Sequence, residues 1–173
     1  MADPNIILVG FMGTGKTAVA NILARKTNMP LIDTDAVIEA RAAKPISSIF
    51  AEDGEPAFRV LENQVAAELA QPSGSIISTG GGIVKNPDNI KLLGRGGLVF
   101  CLQASVDEIL RRVEGDTTRP LLQTTDRRGK VEALLAERAP LYASIPLQIN
   151  TDGRTAEQVA DEILERYNLH IST

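Results

Sequence analysis

Tryptophan is missing from this 173-residue chain, aromatic residues make up only 3% of it, and there is a single cysteine and a single histidine. Without aromatic faces the chain lacks the stacking surfaces on which single-stranded nucleic acid is held. Cys101 has no partner for an internal disulfide and lies in the apolar run Leu98-Val99-Phe100-Cys101-Leu102, so it reads as a buried thiol. A basic surplus is missing too: 18 Lys and Arg stand against 22 Asp and Glu, for a net charge of −4, which argues against a nucleic-acid partner. No apolar run approaches the roughly 18 residues that span a membrane, and Ile6 to Val9 is too short for a signal-peptide core. These absences lead us to expect a cytoplasmic protein with neither nucleic-acid nor membrane partners, monomeric by default. His170 falls in what reads as a C-terminal tail and suggests no catalytic part.

Against these absences stand 43% apolar and 23% charged residues, the balance of an ordinary globular domain. The length suits one domain, 1–173. Short apolar runs alternate with longer stretches of helical period, the signature of an α/β fold. The expected strands are Asn5 to Val9, Leu31 to Asp33, Ser75 to Thr79, Leu98 to Leu102 and Leu147 to Asn150, all parallel. Ser105-Val106-Asp107-Glu108 and Thr155-Ala156-Glu157-Gln158 both have the spacing of a helix capping box. Apolar positions follow each at helical period: Val106, Ile109, Leu110 and Val113 after the first, Val159, Ile163, Leu164 and Tyr167 after the second. Phe58, Leu61, Val65 and Leu69 form another stripe. Gly115 to Asp126, Thr-rich and aperiodic around Pro120, reads as a loop long enough to form a lid.

The sharpest signal is Gly10-Phe11-Met12-Gly13-Thr14-Gly15-Lys16-Thr17, which fits G-x-x-x-x-G-K-[ST] between a strand and a helix. In that setting the glycines let backbone N–H groups curl around phosphate oxygens, and the positive end of the following helix points at the same anion. Lys16 belongs between the β- and γ-phosphates, and the Thr17 hydroxyl on a magnesium ion. A guanine-reading Asn-Lys-x-Asp is absent, which favours ATP.

Asp33-Thr34-Asp35 closes the second strand, where open α/β sheets place their ligands. Asp33 is positioned to reach a magnesium-bound water, and Asp35 to accept the proton of an attacking hydroxyl. The same residues also suit plain capping, by Thr34 or Asp35, of a helix from Ala36. Arg59 and Glu62, three apart, suit an Arg pre-aimed at a substrate carboxylate; a solvated surface pair fits the spacing equally. Gly80-Gly81-Gly82 follows the third strand and offers bare backbone to a ligand, or simply turns. Arg119 lies in the presumptive lid, within reach of a transferring phosphate. Arg138 falls on the apolar face marked by Val131, Leu134 and Leu135, where a cation requires an anionic partner unless it snorkels at a helix end.

Taken in order, these motifs, together with Arg138-Ala139-Pro140-Leu141-Tyr142, resemble the shikimate kinase family, a branch of the nucleoside monophosphate kinase-like P-loop group, over nearly the whole chain. The resemblance implies a P-loop NTPase three-layer sandwich around a five-stranded parallel sheet of order 2-3-1-4-5. It implies a substrate-binding region at about 33–61 and a lid at about 115–126. It also implies ATP-dependent phosphorylation of the 3-hydroxyl of shikimate with magnesium as cofactor. On the same footing, Asp35, Arg59, Gly81 and Arg138 contact shikimate, flanked by Gly80 and Gly82, with Phe50 and Phe58 lining its apolar side. Gly13, Thr14, Gly15, Lys16, Thr17 and Ala18 would hold the nucleotide, with Arg119 on its phosphates and Arg112 near the adenine. Arg154 is a weaker match beside the base, because Ala156 stands where the family often has proline. The catalytic set implied is Asp35, Lys16 and Arg119. Two other readings use the same loop: a kinase for another hydroxylated acid such as gluconate, and a nucleotide-dependent switch without chemistry.

Overall fold

The structure, a computed structural model, describes residues 2–116 and 122–172. The lid assignment therefore lies partly, and Arg119 wholly, outside the described residues. Five strands, β1 (Asn5–Gly10), β2 (Leu31–Asp33), β3 (Ile76–Ser78), β4 (Gly97–Gln103) and β5 (Leu147–Asn150), form one parallel sheet in the order β2-β3-β1-β4-β5. All five fall where the alternation of apolar runs placed them, within about two residues at each end. The sheet is parallel because each consecutive pair of strands is joined through helix, which returns the chain to the same edge.

Those helices are α1 (Lys16–Thr27), α2 (Thr34–Ala42), the short α3 (Ile46–Ser48) running into a π-helical turn at Ile49–Asp53, and α4 (Glu55–Glu68). After β3 come a 3-10 turn at Ile83–Lys85, α5 (Pro87–Gly96), α6 (Val106–Arg112), α7 (Arg127–Ala143) and α8 (Ala156–Ile171). The central strands β1, β3 and β4 bury both faces. On one, Ile7, Val9, Ile77, Val99 and Cys101 pack with Ala66 of α4, Leu93 of α5, and Val131 and Tyr142 of α7. On the other, Ile6, Leu8, Ile76, Phe100 and Leu102 pack with Val19 and Leu23 of α1 and with Val159, Ile163 and Tyr167 of α8. These two layers make the sandwich; a third cluster, Ile38, Ile49, Phe58 and Val65, holds α2 and the π-turn on α4.

Three local expectations change. The cap of α2 is Asp33, not Thr34 or Asp35: its Oδ1 accepts from the Asp35 and Ala36 backbone N–H groups, and the helix starts two residues earlier than Ala36. Thr155 and Gln158 form a reciprocal capping box, whereas at α6 only the Ser105 half forms, because the Glu108 carboxylate is taken by Arg111 and Arg112. His170 lies in the last turn of α8 rather than in a tail. Cys101 is fully buried, and burial pushes its thiol up to about 11.

Register decides what meets at the carboxyl edge of the sheet. Asp33 pairs with Ser78 across β2 and β3, and Ser78 with Leu8 across β3 and β1. The residues that follow, the Gly10–Thr17 loop and Thr79–Gly82, therefore emerge beside Asp33 and Asp35. Strand order reverses at β1, the point where open α/β sheets bind ligands.

Candidate active site

The Gly10–Thr17 loop leaves β1 and enters α1 with Gly13 at φ 75° and Gly15 at φ 92°, left-handed values that a side chain disfavours. Gly15 is the N-cap of α1 and contributes no side-chain bond, so the N–H groups of the first turn remain directed at the loop's hollow, with no acidic residue among them. This is an anion site by geometry and by helix dipole together. Lys16 Nζ bridges the Gly10 and Phe11 carbonyls at 2.6 and 2.9 Å, and Thr14 Oγ1 donates to the same Phe11 carbonyl at 2.8 Å. The loop is thus braced from within around a cation that faces the cleft.

That cleft, about 440 Å³, is lined by Gly13, Gly15, Lys16, Thr17 and Ala18 on one side and by Asp33, Asp35 and Ser78 to Gly81 on the other. Met12, Ser78 and Thr79 were not among the residues singled out from sequence; Thr79 is fixed by its hydroxyl on the Leu8 carbonyl at 2.9 Å. Thr17 and Asp33 share this cleft, and Asp33 uses only Oδ1 for its cap. Among the described residues no cluster of three metal-ligating side chains exists. The donor set still fits magnesium, which keeps most of its waters and takes one or two protein oxygens beside phosphate.

The three glycines after β3 have a purpose that the sequence reading did not find. None has a positive φ. A Cβ on Gly80 would lie 2.7 Å from Asp35 Oδ1, one on Gly82 would lie 2.7 Å from both Arg59 Nη1 and Nη2, and one on Gly81 would lie 3.9 Å from Arg138 Nη1. Asp35 presses on the bare backbone of Gly80 and Arg59 on that of Gly82, while the Cβ position of Gly81 lies in ordinary contact with the phosphate loop, 3.4 Å from Met12 N and 3.6 Å from the Gly10 carbonyl oxygen.

Arg59 is held by two carboxylates, Glu62 at 2.9 Å and Glu55 at 3.0 Å. Glu62 is 1% exposed, so this is a half-buried, pre-aimed guanidinium rather than a solvated surface pair. Arg138 is 5% exposed, and among the described residues no carboxylate forms an ion pair with it. It donates instead to the Gly81 carbonyl at 3.3 Å, lies 5.6 Å from the Phe11 ring centroid, and leaves Nε buried without a hydrogen bond. Phe50 and Phe58 stack with centroids 4.9 Å apart; Phe58 is mostly core, while Phe50 is 38% exposed.

Burial and the adjacent Asp33 charge push the Asp35 carboxyl up to about 6, although Lys16 and Arg59 pull the other way. Burial likewise raises Glu62 against the pull of Arg59. Asp35 Oδ1 and Glu62 Oε2 are both buried without hydrogen-bond partners among the described residues. A carboxylate with a pKa near 6, sharing a cleft with a phosphate-binding cation, is poised to take a proton near neutrality.

Two further residues expected at the nucleotide, Arg112 and Arg154, are held by their own hydrogen bonds. Arg112 bridges the Gly13 carbonyl at 3.3 Å and the Thr151 hydroxyl and carbonyl at 2.9 and 2.8 Å, which puts it at the mouth of the loop. Arg154 turns to Glu162, the Asn150 carbonyl and the Gln158 carbonyl, and is absorbed in the β5–α8 corner.

A braced phosphate loop at a topological switch point, facing a buried carboxylate and two arginines, defines a P-loop phosphotransferase acting on a small anionic acceptor. The family model for shikimate kinase matches residues 12–168. The shikimate kinase of Thermodesulfovibrio yellowstonii is 40% identical over 163 residues, 94% of each chain. The chain belongs to the shikimate kinase family. Among solved structures, the shikimate kinase of Acinetobacter baumannii in complex with shikimate superposes with a TM-score of 0.89 at 36% identity, covering 97% of this chain and 94% of that one. A gluconokinase from Sinorhizobium meliloti, with a TM-score of 0.58 at 17% identity over 100% of this chain and 99% of that one, shares the fold alone.

Proposed function

We propose that this protein transfers the γ-phosphoryl group of ATP to the 3-hydroxyl of shikimate, giving 3-phosphoshikimate and ADP, within aromatic amino-acid biosynthesis. The observation that carries this reading is the glycine triad on which Asp35, Arg138 and Arg59 converge. Two arginines at one end and a proton acceptor at the other match a small acid bearing hydroxyls. The gluconate alternative shares the fold but does not account for both guanidinium groups, the half-buried Arg59 and the buried Arg138. A switch without chemistry leaves unexplained a carboxylate kept near pKa 6 at the cost of its own desolvation.

Each step follows from the placement of these groups. The N–H groups of the Gly13–Ala18 segment and Lys16 take the phosphates, and Lys16 exchanges its carbonyl contacts for phosphate oxygens of opposite charge. Arg59 and Arg138 bind the acceptor's carboxylate, which orients its hydroxyl towards Asp35. Asp35 accepts that proton as the oxygen attacks the γ-phosphorus and the bond to the β-phosphate oxygen breaks, with the electron pair leaving on ADP. Thr17 and, through water, Asp33 would hold magnesium, which when bound neutralises phosphate charge. Arg119 is assigned to the transferring phosphate, Arg112 and Arg154 to the adenine side, and Phe50 with Phe58 to the apolar side of the ring. The protein acts as a single domain, with a substrate-binding region at about 33–61 and a lid at about 115–126.

The test is ADP release by the purified protein with magnesium and ATP, comparing shikimate, gluconate, nucleoside monophosphates and no acceptor. Stimulation by shikimate alone is expected. Equal stimulation by gluconate, or none by any acceptor, refutes the reading.

A further inference from the structure

The motif that carries Arg138 ends four residues later at Tyr142, one helical turn along α7, so both side chains project from the same face. Tyr142 is 6% exposed, and its hydroxyl donates to the Gly81 carbonyl at 2.7 Å. The Arg138 guanidinium donates to that same carbonyl at 3.3 Å. One carbonyl oxygen in the middle of the glycine triad therefore receives two donors from α7, and the shorter bond is the tyrosine's. Burial pushes the phenol up to about 12, so it remains a donor at any working pH. The tyrosine belongs to the same buried cluster as Phe11 and Val131.

Resting on the shikimate kinase reading, we propose that Tyr142 is a positioning residue for the acceptor: through the Gly81 carbonyl it fixes both the glycine turn and the guanidinium of Arg138. The longer Arg138 bond cannot hold the turn alone, because a 3.3 Å contact is weak and the same guanidinium must also meet the substrate carboxylate. With the tyrosine holding the carbonyl, Arg138 keeps Nε available and stays over Phe11. Removal of the hydroxyl chiefly loosens the acceptor end of the site, because the phosphate loop, although in contact with Gly81, keeps its own bracing by Lys16 and Thr14.

The chain supplies its own control. Its only other tyrosine, Tyr167, is 5% exposed and donates to the Pro4 carbonyl at 2.6 Å in the opposite core layer. Tyr142→Phe and Tyr167→Phe each delete one buried hydroxyl-to-carbonyl bond, so both lower stability to urea to a similar extent. The proposal requires Tyr142→Phe to raise KM for shikimate about three- to tenfold while KM for ATP changes by less than about twofold, and Tyr167→Phe to leave both within about twofold. An unchanged KM for shikimate in Tyr142→Phe overturns it, as does an equal rise in both KM values or the same rise in Tyr167→Phe. If the wild-type protein releases no ADP in response to shikimate, the kinase reading itself has failed, and that result is seen before either variant is assayed.

Discussion

Asp35 is kept at a carboxyl pKa of about 6 against an ordinary value near 3.8, so the folded protein bears a cost for holding this group ionised. The rise corresponds to about 3 kcal/mol when the carboxyl is fully ionised in both states. Between pH 3.8 and about 6 the folded chain binds more proton than the unfolded chain, so the stability contributed by this group falls as pH rises through that window and is lost above it. Asp35→Asn removes the titration while preserving shape. Its advantage over the wild type should be small near pH 4, about 1.5 kcal/mol at pH 5 and about 3 kcal/mol at pH 8. Because tryptophan is absent, urea unfolding is best followed by far-ultraviolet circular dichroism at pH 5 and pH 8. The same variant should lose about 10²- to 10⁴-fold in kcat, the share of a general base. A variant no more stable than wild type at pH 8, or a stability difference that does not grow with pH, would refute the account of Asp35 as a desolvated carboxylate maintained for catalysis.

Gly80→Ala forces its methyl group against Asp35 and should lower kcat by about 10- to 100-fold, whereas Gly82→Ala displaces Arg59 and should chiefly raise KM for shikimate; steady-state kinetics with shikimate varied separates the two. Lys16→Ala removes the cation that braces the loop and meets the phosphates, and nucleotide turnover should disappear; ADP release at saturating ATP reads it. Arg138→Ala should weaken shikimate binding about 10- to 100-fold with little effect on ATP, as calorimetric titration of each ligand would show, because it deletes a buried charge that meets the acceptor's carboxylate.

The phosphate loop was legible because its function is local: eight consecutive residues supply the glycines, the cation and the hydroxyl, and a strand and a helix flank them in sequence. The same holds for the sheet, whose five strands were apparent as short apolar runs between helical periods, and for the Thr155 cap, whose partner is three residues away. Arg59 and Glu62 could be paired on paper because one turn of helix separates them, though spacing alone could not tell a buried pair from a solvated one.

The acceptor side needed the folded chain. Residues 35, 59, 81 and 138 lie far apart in sequence and meet only because parallel register brings the ends of β1, β2 and β3 to one edge while α7 packs across them. That packing sets Asp35 against Gly80 and Arg59 against Gly82, and it places Arg138 on the Gly81 carbonyl. It also explains why Tyr142, quoted with its motif, was given no role of its own: its partner is 61 residues away. Sequence by itself determined that a phosphate would be bound and which elements would bind it, since those contacts are short-range and repeat with the period of helix or strand. The acceptor was legible only through the resemblance of the ordered motifs, whereas the environment that raises a single carboxylate towards neutrality was decided by tertiary structure, because desolvation and charge proximity are properties of where distant segments come to rest.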